Sequence, residues 1–124
     1  ATLVFLLCAV WMQRVVGAED ARRAAFELAQ KGDMADSLEK AEEANSLDSQ
    51  SARMTLLLAG AKDRAGQDSE SLYKRATQLQ PTSAIPWHRW GQSRIEREKA
   101  GQVSTQWNPP TLQLLDEALK RDPL

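Results

Sequence analysis

Two kinds of apolar pattern divide the chain. Residues 1–12 (ATLVFLLCAVWM) are uncharged, and after Gln13-Arg14 the apolar character resumes in Val15-Val16-Gly17-Ala18. From Glu19 onward, apolar residues fall three and four apart, which is the spacing of one helical face. Ala21, Ala24, Ala25 and Leu28 mark a helix over about Glu19 to Lys31, and Met54, Leu57, Leu58 and Ala61 mark another over about Ser51 to Arg64. A third opens at Ala84-Ile85-Pro86-Trp87, with Pro86 in the first turn, where its missing N–H is harmless. No strand-like alternation competes with these, and the chain reads as all-α.

The first segment has the composition of a bilayer span but not the full length, since a span needs about 20 apolar residues. Residues 1–18 are therefore expected to be the end of a transmembrane helix whose beginning lies upstream, with Trp11 and Arg14 at the interface. Two other readings stay open. Val16-Gly17-Ala18 before Glu19 has the form of a signal-peptide cleavage site, and a short apolar run also suits the buried first helix of a soluble domain. The chain starts at Ala1 and stops just after Asp122-Pro123, so it reads as an excerpt of a longer polypeptide.

Residues 19–124 contain a repeat. Gly32-Asp33, then Ala41, then Ala44-Asn45-Ser46-Leu47-Asp48-Ser49 form a turn, a helix with small residues and a second turn. Tyr73-Lys74-Arg75-Ala76-Thr77-Gln78-Leu79-Gln80-Pro81 and Leu115-Asp116-Glu117-Ala118-Leu119-Lys120-Arg121-Asp122-Pro123 repeat that ending. Ala84-Ile85-Pro86-Trp87-His88-Arg89-Trp90-Gly91 supplies a helix opening with Trp at its fourth position and Gly at its eighth. These motifs resemble the tetratricopeptide repeat family over about residues 19 to 123, and divide that part into hairpins at about 19–49, 50–81 and 84–123. The second unit is short around Ala65-Gly66-Gln67-Asp68, the third carries extra residues from Ala100 to Pro110, and Ser49 stands where proline is usual. Small residues such as Ala41, Ala44, Ala59, Gly91 and Ala118 are expected to let helices approach closely, because lone hairpins cannot bury an apolar face and must stack.

The resemblance implies that the first helices of successive hairpins line a groove for a protein or peptide partner. By position, that lining is Arg22, Phe26, Met54, Leu58, His88, Gln92 and Ile95, which suits a helical or extended apolar segment. The Lys and Asn set that clamps chaperone C-termini in such repeats is not reproduced, and Phe26 occupies one of its positions. Trp107, in Gln106-Trp107-Asn108-Pro109-Pro110, sits on a proline-stiffened connection and is a further candidate contact.

Charge and chemistry narrow the function. Sixteen basic and seventeen acidic residues give a net charge of -1, too balanced to draw nucleic acid. Cys8 is the only cysteine and His88 the only histidine, so neither a disulfide nor a clustered metal site is expected. No phosphate loop, metalloprotease signature or nucleophile elbow occurs, and no cofactor or catalytic residue is expected. Trp87 and Trp90 are assigned to packing, and Glu39, Glu42 and Glu43 to a solvated outer face.

An apolar span running directly into alanine-rich repeats is similar in its order of parts to the C-terminal region of bacterial O-antigen ligase and polymerase-type membrane proteins. That resemblance implies an interaction scaffold on the periplasmic side of the inner membrane, with the glycan chemistry elsewhere in the parent. The alternative is a single-span repeat adaptor or assembly factor of the envelope. Arg14, Arg22 and Arg23 beside the span favour the cytoplasmic side by the charge rule, so sidedness stays open.

Overall fold

The computed structural model describes residues 2–123. Among these residues there are six helices and no strand: α1 Thr2–Gln30, α2 Met34–Leu47, α3 Ala52–Arg64, α4 Glu70–Leu79, α5 Ile85–Lys99 and α6 Thr111–Arg121. Each helix packs on the next, giving three antiparallel hairpins (α1–α2, α3–α4, α5–α6) set in a row. The odd-numbered helices also touch, α1 with α3 and α3 with α5, whereas among the described residues the even-numbered ones do not touch each other. The row is therefore drawn together along its odd-helix side.

One local device ends all three odd helices. Gly32, Gly66 and Gly101 have φ of 84, 71 and 82°, a left-handed conformation that disfavours any side chain. In each case the next residue's N–H reaches back five residues: Asp33 to the Leu28 carbonyl at 2.9 Å, Gln67 to Lys62 at 2.8 Å and Gln102 to Arg97 at 2.8 Å. This cap satisfies carbonyls that the helix leaves free, and it recurs roughly every 34 residues, a helical-hairpin period. At the other ends, the Asp33 side chain accepts from the Asp36 N–H and Ser51 from the Met54 N–H, starting α2 and α3.

The core follows from small residues at contact positions. Ala18, Ala21, Ala44 and Met54 form one cluster, and Ala25, Ala41, Leu58 and Ala61 the next, so α1 and α3 run parallel with α2 wedged between them. Leu56, Ala59, Tyr73, Ala76, Trp90 and Leu114 form a third cluster joining the second and third hairpins. Gly91 sits so close to α6 that a Cβ there would lie 2.7 Å from Leu115 Cδ2. Polar ties cross these contacts as well, with Ser37 Oγ donating to the Ala25 carbonyl at 2.7 Å and Thr55 Oγ1 to Asn45 Oδ1 at 3.2 Å.

At the N-terminus the structure differs from the expected division at residue 18. α1 runs unbroken through it, and Ala18 is fully buried in the core of the first two hairpins. Arg14 is exposed, and its guanidinium donates to the Ser46 and Leu47 carbonyls at 3.2 and 3.4 Å, placing a cation where the α2 dipole is negative. Residues 2–12 are exposed around the whole helix, Phe5 at 79%, so they are not a buried core helix of this fold. α1 is long and apolar enough to cross a membrane, with a mean hydropathy of 1.4 over its most apolar window.

The tryptophan pair sorts by depth. Trp90 is 2% exposed, whereas Trp87 is half-buried and its indole N–H is buried without a partner. Trp90→Ala is expected to cost about 3 to 5 kcal/mol and Trp87→Ala clearly less, measured as urea unfolding of the chain in detergent followed by far-ultraviolet circular dichroism. The reverse order would contradict this assignment of the core.

Candidate functional site

The odd-helix side carries an open cleft of about 1030 Å³ between the second and third hairpins. Gly60 and Arg64 of α3 form one wall, Arg89, Gln92 and Glu96 of α5 the other, and Gln67 and Asp68 close one end. Glycine inside a helix costs about 1 kcal/mol relative to alanine, and no helix packing here requires it. A Cβ at residue 60 would meet only the Arg64 guanidinium, at an ordinary contact distance of 3.6 Å. The wall is thus bare backbone where a ligand can approach closely.

The cleft floor is a polar cluster held by both hairpins. Asp63 Oδ2 accepts from Tyr73 Oη at 2.7 Å and Ser93 Oγ at 2.8 Å, while Oδ1 accepts from Ser69 Oγ at 2.5 Å and Arg97 Nη2 at 2.8 Å. Arg97 also donates to Ser69 Oγ. Burial pushes the Asp63 carboxyl up, but the hydrogen bonds from Ser69, Tyr73, Arg97 and Ser93 outweigh it and hold the group below its usual range. Burial, then the facing Asp63 carboxylate, pushes the Tyr73 hydroxyl well up, so it is a donor at neutral pH.

Beneath this cluster lies Arg94, with no exposed surface. Nε donates to Glu70 Oε1 at 2.7 Å and Nη1 to the Pro109 carbonyl at 2.8 Å. Nη2 lies 2.5 Å from the same Glu70 oxygen, in ionic contact but off the line of a hydrogen bond. Its guanidinium is sandwiched between Trp90, at 5.4 Å, and Trp107, at 4.7 Å. Glu70 Oε2 accepts from Trp90 Nε1 at 2.9 Å and from Arg97 at 3.4 Å.

The residues expected to line a groove scatter across this arrangement. Gln92 and Ile95 do line the cleft. His88 is exposed on α5 but outside the lining, Phe26 is 57% exposed on α1, and Arg22 is held by Glu19 at 2.9 Å. Met54 and Leu58 are corrected to core positions, 2% and 6% exposed; the apolar stripe of α3 is consumed by α1 and α2, so no partner reaches it. Trp107 is likewise corrected: it is half-buried and folds back over Arg94 instead of projecting from its loop. Glu39, Glu42 and Glu43 are exposed on α2.

Asp63, Glu70, Arg94 and Arg97 were not singled out by sequence. The available signal is that Trp90, Arg94 and Arg97 follow one another at helical spacing, which puts cations on the stripe begun by a core tryptophan and demands buried acidic partners. Among the described residues, no three His, Cys, Asp or Glu side chains are grouped to hold a metal ion. No protein-family model matches the chain, and no curated protein matches it.

Asp63→Ala removes four hydrogen bonds and strands Arg97, and is expected to destabilise the fold by about 2 to 3 kcal/mol. Because its folded carboxyl lies low, its contribution is complete above the unfolded value of about 3.9 and is lost as pH falls below that. Acid unfolding of the variant should therefore be shallower than that of the native chain below pH 4; superimposable titrations would exclude this role. Trp107→Ala should lower stability by about 1 to 2 kcal/mol through the lost contact with Arg94. A variant with unchanged unfolding would restore the loop tryptophan as a free contact.

Proposed function

We propose that the chain is a membrane-mounted scaffold of tetratricopeptide type that holds a protein or peptide partner against its odd-helix face. The observation that carries this reading is the cleft between α3 and α5, bare at Gly60 and rigid beneath through Asp63 and Arg97. A preformed surface loses little entropy on binding. Support for the repeat type comes from the glycine cap that recurs roughly every 34 residues, the tetratricopeptide period. The exposed apolar turns of α1 support attachment to a bilayer, because eleven consecutive residues lie exposed around the helix and carry no charge.

In its narrower form the proposal makes these hairpins the extramembrane repeat region of a bacterial envelope-glycan protein of O-antigen ligase or polymerase type, facing the periplasm. What supports it is the continuity of α1, in which an apolar helix becomes the first helix of the repeats without a linker. A single-span adaptor shares that feature.

Two measurements test these levels separately. With a photoreactive amino acid at Gln92 or at Glu42 on the even-helix side, crosslinks to a discrete partner are expected from position 92 only; equal labelling from both positions would sink the face assignment. An antibody to residues 19–124 should detect a membrane-integral polypeptide several times larger than the 13.8 kDa of this chain. A membrane band of about this size would instead favour the adaptor.

A further inference from the structure

We infer that α1 fixes one particular edge of the row of hairpins, the α2–α3 loop at residues 48–51, against the lipid headgroups, and so holds the cleft at a set height above the bilayer. This rests on the membrane reading of α1 and adds to it an orientation and a second lipid-facing surface.

The first support is that α1 has no hinge. Sharp helix kinks need proline, a Gly/Ser pair, a π-bulge or an inserted group, and α1 contains neither proline nor serine and is α-helical throughout Thr2–Gln30. Its one glycine, Gly17, is packed, with Leu47 Cδ1 3.3 Å from where a Cβ would stand. Whatever direction the apolar turns take in the bilayer is therefore transmitted to the hairpins.

The second support is the position of the Arg14 tie. Its bonds to the carbonyls of Ser46 and Leu47 bring the end of α2 level with the turn of α1 that directly follows the exposed apolar residues 2–12. α3 begins at nearly the same level, since Met54 packs with Ala18 and Ala21. At about 1.5 Å of rise per residue, residues 48–51 stand within about 10 Å of the level of Met12, and the α3–α4 turn about 28 Å from it. The headgroup layer on each side of the hydrocarbon is roughly 5 to 8 Å deep, so the first loop meets it and the second clears it.

The loop's chemistry fits that place. Asp48-Ser49-Gln50-Ser51 is short and polar, with Arg53 beside it. Two of its N–H groups and the nearby carbonyls are tied, Asp48 N–H to Ala44, Ser51 N–H to Asp48, and the Ser49 carbonyl accepting from Arg75 at 3.0 Å and the end of α2 from Arg14. The groups left over are polar backbone that a hydrated, ionic layer can satisfy. The cleft, on the opposite half of α3 and α5, then stands roughly 20 to 30 Å above the hydrocarbon and opens sideways, so its partner must present a segment at that height.

The test uses the whole chain in vesicles of phosphatidylcholine and phosphatidylglycerol. An environment-sensitive fluorophore is attached at native Cys8, or at Ser49→Cys or Gln67→Cys in a Cys8→Ser background, and nitroxide lipids serve as quenchers. The expected result is strong quenching at position 8 by acyl-chain nitroxide, and headgroup-nitroxide quenching at position 49 at least threefold that at position 67. Quenching at 8 with equal values at 49 and 67 would overturn the fixed edge while leaving the membrane reading intact. No quenching at 8, with self-association in its place, would overturn both.

Discussion

The arrangement of the second and third hairpins depends on a charge that has nowhere else to go. Arg94 has lost all contact with water, and an unpaired cation in that position would cost several kcal/mol. The groups that offset the cost come mostly from other elements, the Glu70 carboxylate from α4 and the Pro109 carbonyl and Trp107 face from the long connection, with Trp90 one turn earlier on α5 itself. The third hairpin therefore reaches its low-energy position only when α4 and the 100–110 connection are both in place. The junction between the first two hairpins works differently, through alanines close enough for direct helix contact, and is stabilised by burial with few directional demands.

That contrast accounts for what the sequence disclosed. The helix positions follow from apolar spacing, and the hairpin grouping from repeated endings at Leu47, Leu79 and Leu119, because both are local signals. The facing of α3 was not local. Met54, Leu57, Leu58 and Ala61 define one stripe, but whether it meets a partner or a neighbouring helix depends on how close α1 and α2 come, which their alanines decide. Trp107 illustrates the same limit: an aromatic beside prolines in a connection reads as a free contact until Arg94, thirteen residues earlier, proves to take its ring as a second aromatic face. Asp63 and Glu70 carry no local signal, since nothing within a helical turn of either names Arg97 or Arg94 as its partner.

The two junctions also divide the labour of the molecule. The apolar junction joins directly to the exposed turns of α1, so the first hairpin and those turns are one continuous body with Arg14 locking its seam. The polar junction lies under the cleft, away from those turns. The row of hairpins is thus held by apolar burial at one end and by its most geometry-sensitive bonds at the other.

Those bonds and the candidate binding surface cannot be separated. The walls of the cleft belong to different hairpins, so its width is set by whatever holds α3 to α5, and the direct polar links there are Arg97 and Ser93 to Asp63. Hydrogen bonds to an ionised acceptor are stronger and more directional than neutral ones, and partial burial shields them from salt. The gap between Gly60 and Gln92 therefore has a width fixed by charge pairing, and under the proposed role a partner would widen it only by breaking contacts that also stabilise the fold. On that reading, selectivity for the shape of a bound segment would follow from the same Asp63 cluster that keeps the hairpins stacked.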